Sequence, residues 1–317
     1  MNAMRVLCFG SMNIDYTYYV DRFVTEGATI LASRMATFCG GKGLNQSIAL
    51  RRGGAEVWHA GVAGTGSEIL LDALRNEGVH LEYLQVTERE PNGQAIIQVD
   101  GAGRNCIIVY PGSNVLVTRD YVDEVLDHFH SGDCIVLQNE ISNLEYIIRS
   151  AAKKEITIFL NPSPITEELQ FDLLQYVDYL ILNEVEGKAL TGRTEFQEIL
   201  DVLQERCPKT KIVLTIGEQG VLYRDQNGTL SHGIFCVPVA DTTAAGDTFS
   251  GFFIASISRG LAPWDALHYA SMASAICVSR KGAAPSIPRL EEVLAFEKTL
   301  PKKRRMIRKY SRTAIFD

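Results

Sequence analysis

Six short apolar runs punctuate the first two thirds of the chain: RVLCFG, EVWHAGV, DCIVLQ, ITIFLN, VDYLIL and KIVLTIG. They are rich in β-branched residues and nearly continuous, the pattern of strands buried on both faces. Between them, residues 43–53, 67–78, 118–130, 142–154, 184–191 and 195–206 carry apolar positions at helical spacing. Strands alternating with helices predict an α/β fold, a mostly parallel sheet covered by helices on both faces.

Two regions break the alternation. Residues 16–38 (YTYYVDRFVTEGATILASRMATF) and 92–110 (NGQAIIQVDGAGRNCIIVY) read as strands joined by turns, the second a hairpin around Asp100–Gly103. They predict a small β layer covering a site. Beyond residue 240 the pattern becomes helical, at 246–259, 263–280 and 289–299. With no internal repeat and no low-complexity linker, the expected organisation is one domain over 1–300, its lid drawn from about 16–38 and 92–110, followed by a basic tail at 301–317.

Composition narrows the class. With 46% hydrophobic and 22% charged residues the chain reads as soluble and globular. A net charge of −7 argues against a nucleic-acid partner, which would need a basic face. The tail alone is basic, with Lys302, Lys303, Arg304, Arg305, Arg308, Lys309 and Arg312. Seven cysteines (Cys8, Cys39, Cys106, Cys134, Cys207, Cys236 and Cys277) show no CxxC spacing, which predicts reduced, buried thiols rather than a disulfide or zinc framework. The six histidines form no spaced metal set. The start MNAMRVLCFG has no targeting pattern, and no apolar stretch reaches membrane-spanning length. The expected location is the cytoplasm, with no membrane partner.

Chemistry enters at VADTTAAGDTFSGFFIASIS, residues 239–258. Phe249, Phe252, Phe253 and Ile257 have helical spacing, so a helix begins near Gly246. The first N–H groups of a helix lack partners and carry the positive end of its dipole. Ala244, Ala245 and Gly246 have almost no side chain, so an anion can approach those donors. Asp247 beside them either caps the helix or accepts a proton from a group attacking a bound phosphate. In CGGKGLNQSIALRRGG, residues 39–54, Gly40, Gly41 and Gly43 flank Lys42, ahead of a helix with Asn45 and Gln46 in its first turn. The order is not that of a Walker A loop. In GSMNIDY, Asn13 and Asp15 alternate at a strand end and share one face, suited to clasping vicinal hydroxyls or to stabilising a turn.

With both glycine-rich signatures, GGKGLNQ at 40–46 and DTTAAGDTF at 241–249, the chain resembles the ribokinase family of carbohydrate kinases from residue 4 to about 300. The resemblance implies a sugar held by Asn13, Asp15, Gly41, Lys42, Asn45 and Glu140 (in VLQNEI), and a catalytic Asp247 beside the amides of Ala244, Ala245 and Gly246. It implies that Asn183 and Glu186 (in LILNEVEG) associate with hydrated Mg²⁺ and phosphates, and that Thr215, Gly217 and Gly220 (in LTIGEQG) meet the nucleotide. It also implies a monovalent-cation loop at SRKGAAPSIP, 279–288, with Asp241, Thr243, Cys277, Arg280, Gly282 and Ser286 as the matching positions.

The implied activity is ATP-dependent phosphorylation of the primary hydroxyl of ribose, with Mg²⁺ and K⁺, in a homodimer paired through lid strands. Related members act on deoxyribose, on a nucleoside such as pseudouridine or on a ketose. A non-catalytic sugar-binding protein on the same fold is the alternative from a different class. The sequence departs from the family at AGTGSEI, 63–69, which lacks an acidic pair, at Cys39, and in the tail after Pro301.

Overall fold

The computed structural model describes residues 4–166 and 169–300, together with the backbone of Tyr310 and Ser311. The chain begins with β1 (Arg5–Phe9), β2 (Asn13–Tyr19), β3 (Arg34–Gly40), α1 (Lys42–Arg52), β4 (Glu56–Thr65), α2 (Glu68–Asn76), β5 (Leu84–Pro91), β6 (Gly93–Val99) and β7 (Asn105–Tyr110). It continues with α3 (Arg119–Leu126), β8 (Cys134–Gln138), α4 (Leu144–Lys153), β9 (Thr157–Asn161), α5 (Phe171–Leu174), β10 (Tyr179–Asn183), α6 (Glu184–Thr191), α7 (Phe196–Arg206) and β11 (Lys211–Thr215). A hairpin, β12 (Val221–Asp225) and β13 (Gly228–His232), precedes α8 (Ala245–Ser258), α9 (Pro263–Val278), α10 (Leu290–Thr299) and the two-residue β14 (Tyr310–Ser311).

Ten strands form the large sheet in the order β14-β13-β12-β11-β10-β9-β8-β1-β4-β5. From β11 to β5 neighbours run parallel, whereas β12, β13 and β14 pair antiparallel. β1 lies between β4, which follows it, and β8, from which the chain proceeds the other way. The strand order therefore reverses at β1 and β8, and in open α/β sheets the crevice beyond the carboxyl ends at such a point takes ligands.

β1 alternates across the sheet. Val6 and Cys8 join an apolar cluster with Ile48 of α1, Phe252 and Phe253 of α8 and Met272 of α9. Leu7 and Phe9 face a second cluster with Val122, Ile147 and Leu200 of α3, α4 and α7. Each side chain so buried contributes roughly 1.5–3 kcal/mol. Both faces are thus helix-covered, as the continuous apolar strands require.

A second, four-stranded sheet has the order β3-β2-β6-β7. β2 is antiparallel to β3 and parallel to β6. The β6–β7 hairpin closes where the Asp100 carbonyl accepts the Gly103 N–H at 2.9 Å and the Asp100 N–H reaches the Arg104 carbonyl at 3.0 Å. Register brings Asn13 opposite both Gly40 and Gly93, so three strands of this sheet end at the mouth of the β1 crevice.

Three features differ from the sequence reading. β5, α5 and the β12–β13 hairpin were not expected: β5 is largely exposed and has no apolar face to reveal it, and α5 is a single turn. All seven cysteines are free, as expected, but Cys106 and Cys236 are exposed rather than buried. Cys106 sits on β7, whose six residues all face solvent. The basic residues of the tail lie outside the described residues.

Candidate active site

The first wall of the crevice is built by α1 against the segment after β1. Gly41 precedes α1 with φ 88°, in the left-handed region, and a Cβ there would come within 2.9 Å of the Asn13 nitrogen. Glycine meets both demands. Gly41 has no side chain to cap α1, and the Lys42 N–H instead donates to Glu140 Oε2 at 3.0 Å. The Ser11 hydroxyl donates to the same oxygen. Burial pushes the Glu140 carboxyl above its ordinary value, and the bonds from Ser11 and Lys42 pull it partly back.

Asn13 is buried and oriented by Asn114. Asn114 Nδ2 donates to Asn13 Oδ1 at 2.8 Å, and Asn114 Oδ1 accepts the Met12 N–H at 3.0 Å. The Asn13 Nδ2 group keeps no acceptor among the described residues, so it stands ready to donate. Asp15, half-buried with its carboxylate against the Gly40 backbone, has its pKa pushed up to about 7 by burial and by the neighbouring Glu140.

α8 supplies the opposite wall. Its N-cap, Ala244, has φ 60°, a left-handed conformation that costs a non-glycine residue roughly 1–2 kcal/mol. The kink lets the Ala245 N–H reach back to the Thr242 carbonyl at 3.2 Å. Among the described residues nothing accepts from the N–H groups of Ala244, Gly246 or Asp247, and open space surrounds Gly246. Of the amides expected to face an anion, Ala245 is thus the one already engaged.

The Asp247 carboxylate is held at both oxygens by α1. Asn45 Nδ2 donates to Oδ2 at 3.1 Å, and Gln46 Nε2 donates to Oδ1 at 3.0 Å. Lys42 stands nearby: burial disfavours its charge, but Asp247, Glu140 and Glu186 outweigh burial and raise its pKa. It remains an ammonium.

These groups line a cavity of about 250 Å³ whose wall includes Lys42, Asn183, Glu186, Thr215 and residues 244–247. Asn183 and Glu186 form a reciprocal cap on α6, Asn183 Oδ1 accepting the Glu186 N–H at 2.9 Å and Glu186 Oε2 accepting the Asn183 N–H at 3.0 Å. Thr215 pairs in register with Asn183 at the end of β11. Gly217 and Gly220, with φ 55° and 103°, form the turn into β12 and do not line the cavity. Asn161, at the end of β9, lines it without having been expected to. Larger clefts of about 520 and 940 Å³ lie around Arg119 and Asn143, but the lysine, carboxylates and open helix start gather in the smaller one.

Beside the α8 start, five of the six residues expected at a cation loop are linked. Asp241 accepts from the Thr243 N–H at 2.9 Å, the Thr243 hydroxyl at 2.6 Å and the Gly282 N–H at 2.9 Å. Cys277 contacts the Thr243 carbonyl at 3.7 Å and the Ser286 hydroxyl at 3.0 Å. Burial alone would raise the Asp241 pKa, but the Thr243 and Gly282 bonds with nearby Lys281 hold it below the ordinary range. The Arg280 guanidinium departs from the group and pairs with Glu292 at 2.5 Å. Only its backbone position accompanies the loop. Among the described residues no cluster of three or more His, Cys, Asp or Glu side chains is placed to hold a metal ion.

Ser11, Gln46, Gln138, Asn114 and Asn161 belong to this neighbourhood without having been assigned roles from sequence. Ser11 and Gln46 lie within the quoted motifs, whereas Gln138 and Asn114 carry no local signal.

A doubly wound sheet with a small accessory sheet at its switch point and an acidic residue beside an open helix start suit phosphoryl transfer, and the family match makes the chain a phosphotransferase acting on a sugar hydroxyl. The pattern of the pfkB family of carbohydrate kinases matches residues 3–290, and the chain belongs to that family. A ribokinase from Haemophilus influenzae is 31% identical over 296 residues, covering 90% of this chain and 96% of that one. The crystal structure of a ribokinase from Thermotoga maritima is 30% identical, with a TM-score of 0.84 over 94% of this chain and 100% of its own. A ribokinase from Arabidopsis thaliana, complexed with ribose and ATP, is 28% identical, with a TM-score of 0.84 over 95% of this chain and 100% of its own.

Proposed function

We propose that the protein transfers the γ-phosphoryl group of ATP to the primary hydroxyl of ribose. The observation that carries this reading is the double hydrogen bond on Asp247 beside the open start of α8. Amide N–H₂ groups only donate, so both orient the Asp247 oxygens as acceptors, and a carboxylate with two further lone pairs accepts the proton of an incoming hydroxyl. The free N–H groups of Gly246 and Asp247 and the Lys42 ammonium suit the charge that develops on a transferring phosphoryl group.

The sugar pocket in this reading comprises Asn13, Asp15, Gly41, Lys42, Asn45 and Glu140. Several oriented hydrogen bonds are needed to bury a polyhydroxyl molecule without orphaned groups. The Asn13 amide and the Asp15 carboxylate supply a donor and an acceptor on the small sheet, which acts as a lid from about 16–38 and 92–110 on a kinase domain spanning 1–300. Its closure would keep out water, a competing phosphoryl acceptor.

Asn183, Glu186 and Thr215 lie where the nucleotide phosphates would, with Gly217 and Gly220 in the turn behind them. Glu186, a carboxylate lining the cavity, fits a hydrated Mg²⁺, whose chemistry is to neutralise charge on the phosphate oxygens. The oxygen donors of Asp241, Thr243 and Ser286 fit a hard monovalent ion such as K⁺. Such a site would stiffen the segment leading into the α8 amides.

The exposed apolar edge of β7, with Ile107, Ile108, Val109 and Tyr110, supports pairing between two copies as a homodimer. Seven free cysteines suit a reducing, cytoplasmic setting. No helix among the described residues is long and apolar enough to cross a membrane.

A coupled assay of ADP release with ribose, deoxyribose, fructose, ketodeoxygluconate and pseudouridine tests the substrate. Ribose is expected to give the highest kcat/KM. Preference for another of the five would move the assignment to the corresponding relative, and no turnover with any would favour a binding protein.

A further inference from the structure

Gln138, the last residue of β8, is fully buried and does not line the cavity, yet it leads to Asp247. Its Nε2 donates to Gln46 Oε1 at 2.7 Å, and Gln46 Nε2 donates in turn to Asp247 Oδ1 at 3.0 Å. The second hydrogen on Gln138 Nε2 points to Cys8 Sγ at 3.8 Å, while the Cys8 thiol donates to the Gly43 carbonyl at 3.4 Å. Burial pushes the Cys8 thiol up to about 11, so it stays protonated and able to donate.

The two links that end on the carboxylate have one permitted direction, and the Cys8 thiol, spent on the Gly43 carbonyl, accepts from Gln138 as that direction requires. If the Gln138 amide were reversed, its oxygen would face Gln46 Oε1. If Gln46 reversed as well, its oxygen would face the Asp247 carboxylate. Gln138 Oε1 meanwhile has no partner among the described residues, a cost that apolar packing does not explain. Gly10 leaves that oxygen its space, because a Cβ there would strike it.

We propose that Cys8, Gln138 and Gln46 form a one-directional hydrogen-bond chain that positions Asp247, by dictating which end of the Gln46 amide the carboxylate meets. The inference rests on the reading of Asp247 as proton acceptor. Gln46 and Gln138 are positioning residues in it, and a Gln46 amide free to rotate would present its oxygen to Asp247 part of the time. The other titratable groups facing Asp247 are Lys42 on α1, Glu140 after β8, Cys8 on β1 and Cys277 on α9. None is altered in Gln138 and Gln46 variants.

The test uses Gln138→Met, which keeps volume and removes the donor, with Gln46→Met as a second variant should the first fail to fold. Steady-state kinetics should show kcat reduced roughly tenfold while KM for ribose and ATP stays within about twofold. Added to Asp247→Asn, Gln138→Met should lower kcat by less than about twofold, since its effect passes through the carboxylate. Titration of the Asp247 side-chain carbon by NMR, which requires no turnover, should show its midpoint moved to higher pH in both variants. An unmoved midpoint, an unchanged kcat, or an equal loss in the Asp247→Asn background would overturn the chain. Absence of turnover in the unaltered protein would instead overturn the function, and the titration would still decide the chain.

Discussion

Asn45 Nδ2 lies 3.1 Å from Asp247 Oδ2, so a helix that starts at residue 42 and one that starts at residue 245 deliver side chains to the same point. The amide hydrogen keeps that oxygen as an acceptor. Asn45→Asp would set two carboxylates at this distance, and such pairs share a proton. At pH 7 kcat is expected to fall at least tenfold, with the acid limb of its pH profile moved upward. A profile matching that of the unaltered protein would show that Asn45 does not govern Asp247.

Asn13 and Glu140 act on the sugar in this account. Asn13→Ala and Glu140→Ala should raise KM for ribose about tenfold or more and leave KM for ATP within about twofold, read by steady-state kinetics with each substrate varied. The opposite pattern would put the sugar pocket elsewhere.

Asp15 links function to stability. Its folded pKa of about 7 exceeds the ordinary 3.8, with burial the first cause and Glu140 the second. Between these values the folded chain holds a proton that the unfolded chain has lost, so stability declines as pH rises from about 4 to about 7 and stays low above it. Asp15→Asn removes the charge. Thermal unfolding should show Tm raised by a few degrees at pH 8 and little changed at pH 4, while KM for ribose rises. An equal shift at both pH values would exclude this cause.

The two halves of the site differed in legibility. Asp247, Asn45 and Lys42 stand in two glycine-rich signatures and are singled out by the resemblance those signatures carry, since the residues alone leave Asp247 as either a helix cap or a proton acceptor. Asn114 orients Asn13 from 101 positions away, and Gln138 ends an apolar strand, CIVLQ, where a polar residue reads as the strand's boundary. Neither contact is local, and no periodicity encodes it. The β12–β13 hairpin does carry a local signal, Asn227-Gly228 between two short alternating runs, with Gly228 at φ 132°. The kink at residue 244 had none, because alanine occupies the left-handed position where glycine would have announced it.

The proposed cation loop predicts ion dependence. Asp241 ties Thr243 to Gly282, and a bound monovalent ion would stiffen that tie and with it the α8 amides. At equal ionic strength K⁺ should raise kcat several-fold over Na⁺, and Asp241→Ala should abolish the difference. Equal rates in K⁺, Na⁺ and a bulky organic cation would show that the loop works without an ion.

The most direct measurement is kcat for ATP and ribose in Asp247→Asn beside the unaltered protein, with ribose affinity measured by calorimetry. The asparagine keeps the size of the side chain but accepts no proton. The account predicts a loss of roughly 10²-fold or more in kcat with ribose binding retained. A variant that binds ribose and turns over at near-normal rate would contradict it, and would remove Asp247 from the transfer step.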